Sequence, residues 1–107
     1  MRYLLYSTTP DAQPTPEKMA EIGQYMDEVR KAGILVATGG LGPFGTKIHN
    51  TSGKLTVTDG PFTEGKEIVG GFALVDCKTK DEAIEWAKRF RKIVGDGESV
   101  MQEVFGG

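Results

Sequence analysis

Apolar residues stand on both sides of the strand-like segments of this chain, while only two segments have the spacing of helices. In Gly71 to Cys77, Phe72 and Leu74 alternate with Ala73, Val75 and Cys77. In Ser99 to Phe105, Val100 and Val104 alternate with Met101 and Phe105. An antiparallel sheet with one wet face alternates apolar with polar residues instead. Two helices cover only one face of a sheet, so the other face needs a cover of its own. A second subunit is the simplest one. The expectation is a homodimer with a core-like interface of on the order of 2,000 Å² or more.

Local signals place the elements. Arg2 to Ser7 reads as a strand, with Leu4 and Tyr6 on one side and Tyr3 and Leu5 on the other. A polar loop, Thr8 to Pro14, leads to Thr15-Pro16-Glu17: a hydroxyl N-cap, proline at the first helical position, and an acid at the positive dipole end. Met19, Ile22, Met26 and Val29 then recur at helical spacing, and Lys31 and Gly33 close the helix. Ile34 to Thr38 is a second strand. Thr46 to His49 and Lys54 to Thr58 read as a hairpin turned around Asn50 to Gly53. Thr79-Lys80-Asp81-Glu82 is a capping box for a helix that buries Ala83, Ala87, Phe90 and Val94, with Trp86 at its edge. With the hairpin set aside the order is βαββαβ. That is an α+β, ferredoxin-like split βαβ unit, with the β-hairpin inserted between its second and third core strands.

Residues 1–107 read as a single domain, a length that supports one core with little margin. The formal charge of −2 is spread without a basic stripe, which argues against a nucleic-acid partner. The first apolar run is too short for a signal peptide or a membrane span, so no membrane partner is expected. Cys77 is the sole cysteine and suits a reducing cytoplasm. Glycine makes up 15 of the 107 residues, and ten of these lie from Gly33 to Gly71, so the turns gather in the middle of the chain.

Two glycine patterns carry no nucleotide site. Gly40, Gly42 and Gly45 spell a dinucleotide fingerprint, but Pro43 interrupts it and a hairpin follows where a helix must hold the pyrophosphate. Gly60 through Gly65-Lys66 spells most of a P-loop, but Glu67 stands where a hydroxyl must hold magnesium. His49 is the only histidine, either a proton-transfer group or a surface residue of the hairpin. One histidine and one cysteine do not compose a zinc site. Cys77 packs as a small apolar residue. Asp59 either acts as a general base or caps the Gly60-Pro61 turn. Glu64, Lys66 and Glu67 form a charged rim, and Tyr6 at a strand end either packs or faces a pocket.

Asp59-Gly60-Pro61-Phe62, the Glu64/Lys66/Glu67 spacing, Gly70-Gly71-Phe72 and Glu82-Ala83-Ile84-Glu85-Trp86-Ala87 together resemble the YCII-related family in its DGPF-domain branch. The resemblance runs from Tyr3 to the last strand. It implies a dimeric α/β-barrel, two ferredoxin-like units packed sheet to sheet. Better-studied relatives look like small enzymes that use a histidine–aspartate pair on a ring substrate, as in dehydrochlorination of a chlorinated hydroxyquinol. Their histidine lies early in the first helix, where this chain has Glu17-Lys18-Met19-Ala20. Relatives in the DGPF branch often carry a histidine near the position of Gly42 as well. Only Asp59 carries over as a motif residue. DGPF-type domains are also associated with alternative sigma factors.

The expected site lies between the sheet edge and the loop that Asp59 opens. Asp59 would be its base or orienter, and His49 a second proton-transfer group if the hairpin folds over the pocket. Tyr6, Phe62 and Lys66 would contact a small molecule. The expected chemistry is lyase- or isomerase-like proton transfer with no metal and no organic cofactor. The rival is a non-catalytic binding or regulatory module beside a transcription regulator.

Overall fold

A computed structural model describes residues 1–8, 15–41, 45–60 and 71–106. Its elements run β1 (Arg2–Ser7), α1 (Pro16–Lys31), β2 (Leu35–Gly40), β3 (Thr46–Thr51), β4 (Lys54–Asp59), β5 (Gly71–Asp76), α2 (Lys80–Val94) and β6 (Ser99–Glu103). The order β2-β5-β1-β6 makes one four-stranded antiparallel sheet, and β3 and β4 pair apart from it. This is the expected ferredoxin-like arrangement with its inserted hairpin.

Both helices begin as their sequences require. The Thr15 hydroxyl accepts from the Lys18 amide at 3.2 Å, with Pro16 opening α1. The Thr79 hydroxyl accepts from the Glu82 amide at 3.1 Å. Glu82 reaches back to the amide of Lys78, one residue before the cap, rather than to that of Thr79 itself. Either way a donor at the helix entrance gains an acceptor.

The core fills the space between the helices and one sheet face. Tyr3, Tyr25, Val29, Ile34, Val75, Cys77 and Ala83 are buried there, with Leu5, Leu35, Ala73, Phe90 and Met101 packed against them. Met19, expected in this layer, is 60% exposed. Tyr25 takes its place: its ring meets Trp86 edge-on at 5.9 Å, and its hydroxyl donates to the Trp86 carbonyl at 2.8 Å. Burial pushes its phenol up to about 12. Arg89 closes the helix pair from outside, pairing with Glu28 and lying 4.9 Å over the Trp86 ring. Arg91 ties the end of α2 to the sheet through Ser7 and Ser99.

The hairpin turns more tightly than its sequence suggested. Its strands extend to Thr51 and Lys54, and Ser52 and Gly53 turn with φ of 50° and 82°. Positive φ at both central residues is the hairpin-forming geometry, because its twist matches that of the strands. The last strand, by contrast, stops at Glu103, and Phe105 beyond it is 83% exposed.

Candidate functional site: the open sheet face and the hairpin

Strand register defines the face that the helices leave open. Tyr3 pairs with Val75 and Leu5 with Ala73 on the helix side, so Leu4, Tyr6, Phe72 and Leu74 point the other way. Two rows cross all four strands on that open side. One reads Ala37, Leu74, Leu4, Gln102, and the other reads Gly39, Phe72, Tyr6, Val100. Apart from Gln102 and the Tyr6 hydroxyl, both rows are apolar or glycine. The Phe72 ring lies over Gly39, where an added Cβ would come within 3.3 Å of it. A side chain at that position would therefore displace the ring.

The polar pair in this face is joined. Tyr6 donates its hydroxyl proton to Gln102 Oε1 at 2.7 Å. An apolar floor with a few oriented polar groups is the usual composition of a small-molecule site. Gln102 was missed at the sequence level, because a glutamine on a short final strand looks like a solvated residue. Its signal was positional: it falls on the side occupied by Val100 and Val104.

The hairpin gathers its three aliphatic residues on one side. Thr46, Ile48 and Asn50 face Asp59, Val57 and Leu55, while Lys47, His49 and Thr51 face Thr58, Thr56 and Lys54 on the reverse side. Asp59 thus shares the apolar side, where its Oδ1 accepts from the Thr46 hydroxyl at 2.8 Å. His49 points from the opposite side. The structure does not bring these two residues together, and Tyr6 lies on the other sheet. Phe62 and Lys66 fall outside the described residues, as do the rest of 61–70, Gly42 of the glycine pattern and the loop 9–14.

Elsewhere the chemistry is muted. Cys77 is buried, and burial first, then Glu82, pushes its thiol up, so it is held protonated. Among the described residues no three histidine, cysteine, aspartate or glutamate side chains gather as a metal site needs. No helix among them is long and apolar enough to cross a membrane. Glu21 of α1 and Arg89, Lys92 and Ile93 of α2 line an open groove.

Two helices on one side of a β2-β5-β1-β6 sheet, with an apolar, half-buried opposite face that neither helix covers, define a ferredoxin-like α+β domain. The YCII-related domain model matches residues 1–103, and the chain belongs to that family. An uncharacterised protein of Rhizobium meliloti (strain 1021) is 39% identical over 61 residues, a match covering 50% of this chain and 49% of that one. The match therefore spans about half the length of that relative. Among solved structures, the fold is similar to that of 5-chloro-2-hydroxyhydroquinone dehydrochlorinase from Burkholderia phenoliruptrix AC1100, solved in complex with 2,5-dihydroxybenzoquinone. The similarity has a TM-score of 0.51 at 15% identity and covers 100% of this chain and 96% of that one.

Proposed function

We propose that two copies of this chain pair through their open sheet faces and hold a small, flat, largely apolar molecule beside Tyr6 and Gln102. The observation that carries this is the Tyr6–Gln102 hydrogen bond, set in a face otherwise made of Leu4, Phe72, Leu74, Val100 and small residues. Aromatic and aliphatic side chains offer a ring its contact area, and the hydroxyl–amide pair fixes its orientation. The reading calls on no cofactor. A single buried, protonated thiol fits action in the cytoplasm. Asp59-Gly60-Pro61-Phe62 supports a reading of the chain as a member of the DGPF branch, and Phe62 and Lys66 remain candidate ligand contacts.

If chemistry accompanies binding, it is proton transfer by Asp59, in the manner of a lyase or isomerase. A second reading, a binding or regulatory module without turnover, has an observation in its favour. The Asp59 carboxylate is engaged by Thr46, and His49 points away on the reverse side of the hairpin, so the two do not form an acid–base pair.

Titration with 2,5-dihydroxybenzoquinone, the ring compound bound by the dehydrochlorinase, tests the site. Binding should weaken by up to about tenfold in Tyr6→Phe, the span of one net hydrogen bond. It should perturb the amides of Leu4, Phe72 and Val100 selectively. Unchanged affinity in Tyr6→Phe, or perturbations confined to the helices, would reject this site. Release of a proton or product from the bound ring by wild type, but not by Asp59→Asn, separates the enzyme from the module.

A further inference from the structure

We infer that the site is completed by exchange: where the two sheet faces pair, the apolar side of each hairpin lies over the Gly39–Phe72–Tyr6–Val100 end of the partner copy's face and carries Asp59 to that end. The inference rests on the homodimer reading above and adds which part of each copy reaches the other.

Three observations converge on it. First, the hairpin gathers its aliphatic residues on one side, interleaved with Thr46, Asn50 and Asp59, yet leaves them uncovered. Ile48, Leu55 and Val57 stand together on one side at 72%, 66% and 67% exposure, and the reverse side carries only lysines, threonines and His49. A segment meant to stand in water has no reason to gather its aliphatic residues on one side, and an isolated two-stranded hairpin is marginal without a packing partner. Its own sheet provides none, since every residue of β3 and β4 is exposed.

Second, the chain is too extended for its length. Its radius of gyration is 16.0 Å, whereas a compact chain of this length has about 13 Å. It exposes 7902 Å², whereas a compact monomer of this mass exposes about 5,800 Å². The excess, about 2,000 Å² per chain and so about 4,000 Å² for a pair, falls in the range of total area that permanent dimers bury.

Third, the exposed apolar side of the hairpin and the half-buried apolar face that the helices leave free belong to one chain and are joined at one end of the sheet. The hairpin follows β2 and precedes β5, and Gly40 and Gly71 pair there, next to the Gly39–Phe72–Tyr6–Val100 row. Under a two-fold axis, what one copy lacks the other supplies, so two equivalent contacts cover both surfaces on both copies. Asp59 lies on the docked side of the hairpin and travels with it. His49 lies on the outer side and stays in solvent.

The test mixes copies. Carbon-13-labelled and unlabelled chains are unfolded and refolded together, and contacts between labelled and unlabelled protons are measured by isotope-filtered NMR. Alongside, light scattering compares wild type with Ile48→Lys/Val57→Lys, whose changes lie on exposed positions of the single chain. Contacts from the Ile48, Leu55 and Val57 methyls to Tyr6, Phe72 or Leu74 of the other copy are expected. The double variant should weaken dimerisation by about tenfold or more, since each buried aliphatic side chain contributes that much or more. A dimer without those intermolecular contacts overturns the exchange and leaves the homodimer intact. Contacts within one copy only also overturn it. A monomeric wild type removes both.

Discussion

Replacing Tyr25 with phenylalanine should destabilise the protein at neutral pH and stabilise it above about pH 11. The phenol bridges the helices through its bond to the Trp86 carbonyl. That carbonyl sits inside α2 and keeps its own helical amide after the change, so no buried acceptor is orphaned. The loss is then the net worth of one hydrogen bond, about 1 kcal/mol, or roughly 5 °C in Tm for a domain of this size. The pH term has the opposite sign. Burial raises the phenol from 10.0 to about 12 in the folded state, so the native protein keeps a proton that the unfolded chain releases. The stability it contributes is fully present below pH 10 and is lost as pH rises toward 12. By pH 11 the loss is at most about 1.4 kcal/mol, one pK unit's worth, somewhat less if water reaches the oxygen. Phenylalanine has no such dependence, and Tyr3 and Tyr6 cancel in the comparison. Urea unfolding of both proteins from pH 7 to 11.5 should therefore show two curves converging and then crossing near pH 11. Parallel curves across that range would refute the claim that this phenol is held neutral by burial.

Asp59→Asn should keep the acceptor for the Thr46 hydroxyl, leaving Tm within about 2 °C of wild type, an exposed bond being worth well under 1 kcal/mol. A drop as large as that of Asp59→Ala in a parallel thermal melt would make the residue structural. Thr79→Ala removes the N-cap of α2 and should cost about 1 kcal/mol by urea unfolding. A neutral result would mean that Glu82 alone secures the helix entrance. Ser52→Asn suits the left-handed turn better and should slow hydrogen exchange in β3 and β4 by a few-fold. Faster exchange would show that Ser52 makes a contact worth more than its backbone strain.

The layers of this fold were legible in its sequence because alternation is strict in β1, β5 and β6, while β2 breaks it with a register shift between Leu35 and Ala37. Phe72 and Leu74 fell on one side and Ala73 and Val75 on the other, as β5 shows. Helix faces were harder to read. Met19 fits the apolar spacing of α1, but the long aromatic Tyr25 fills the space against α2 and leaves Met19 in solvent. The hairpin's parity was also readable. In an antiparallel pair with a loop of even length, Asp59 faces an even-numbered residue, so odd-numbered His49 must lie on the reverse side. What no single-chain pattern revealed was the Tyr6–Gln102 bond. It joins strands 96 residues apart, and only the register of the finished sheet makes them neighbours.

That separation also governs when the protein can fold. β1 is an inner strand, yet both of its partners, β5 and β6, come from the second half of the chain. A nascent chain on the ribosome grows by about 5–20 residues per second, so its first strand waits for seconds before the last emerges. The Ser52–Gly53 hairpin needs no such wait and can form within about ten microseconds of its synthesis. Until β6 arrives, Leu4 and Tyr6 lack one neighbour of their row, and every early copy carries apolar surface without its cover. Synthesis that stalls before residue 99 would leave β1 as an unpaired edge of a three-stranded sheet, a product for chaperones and proteases.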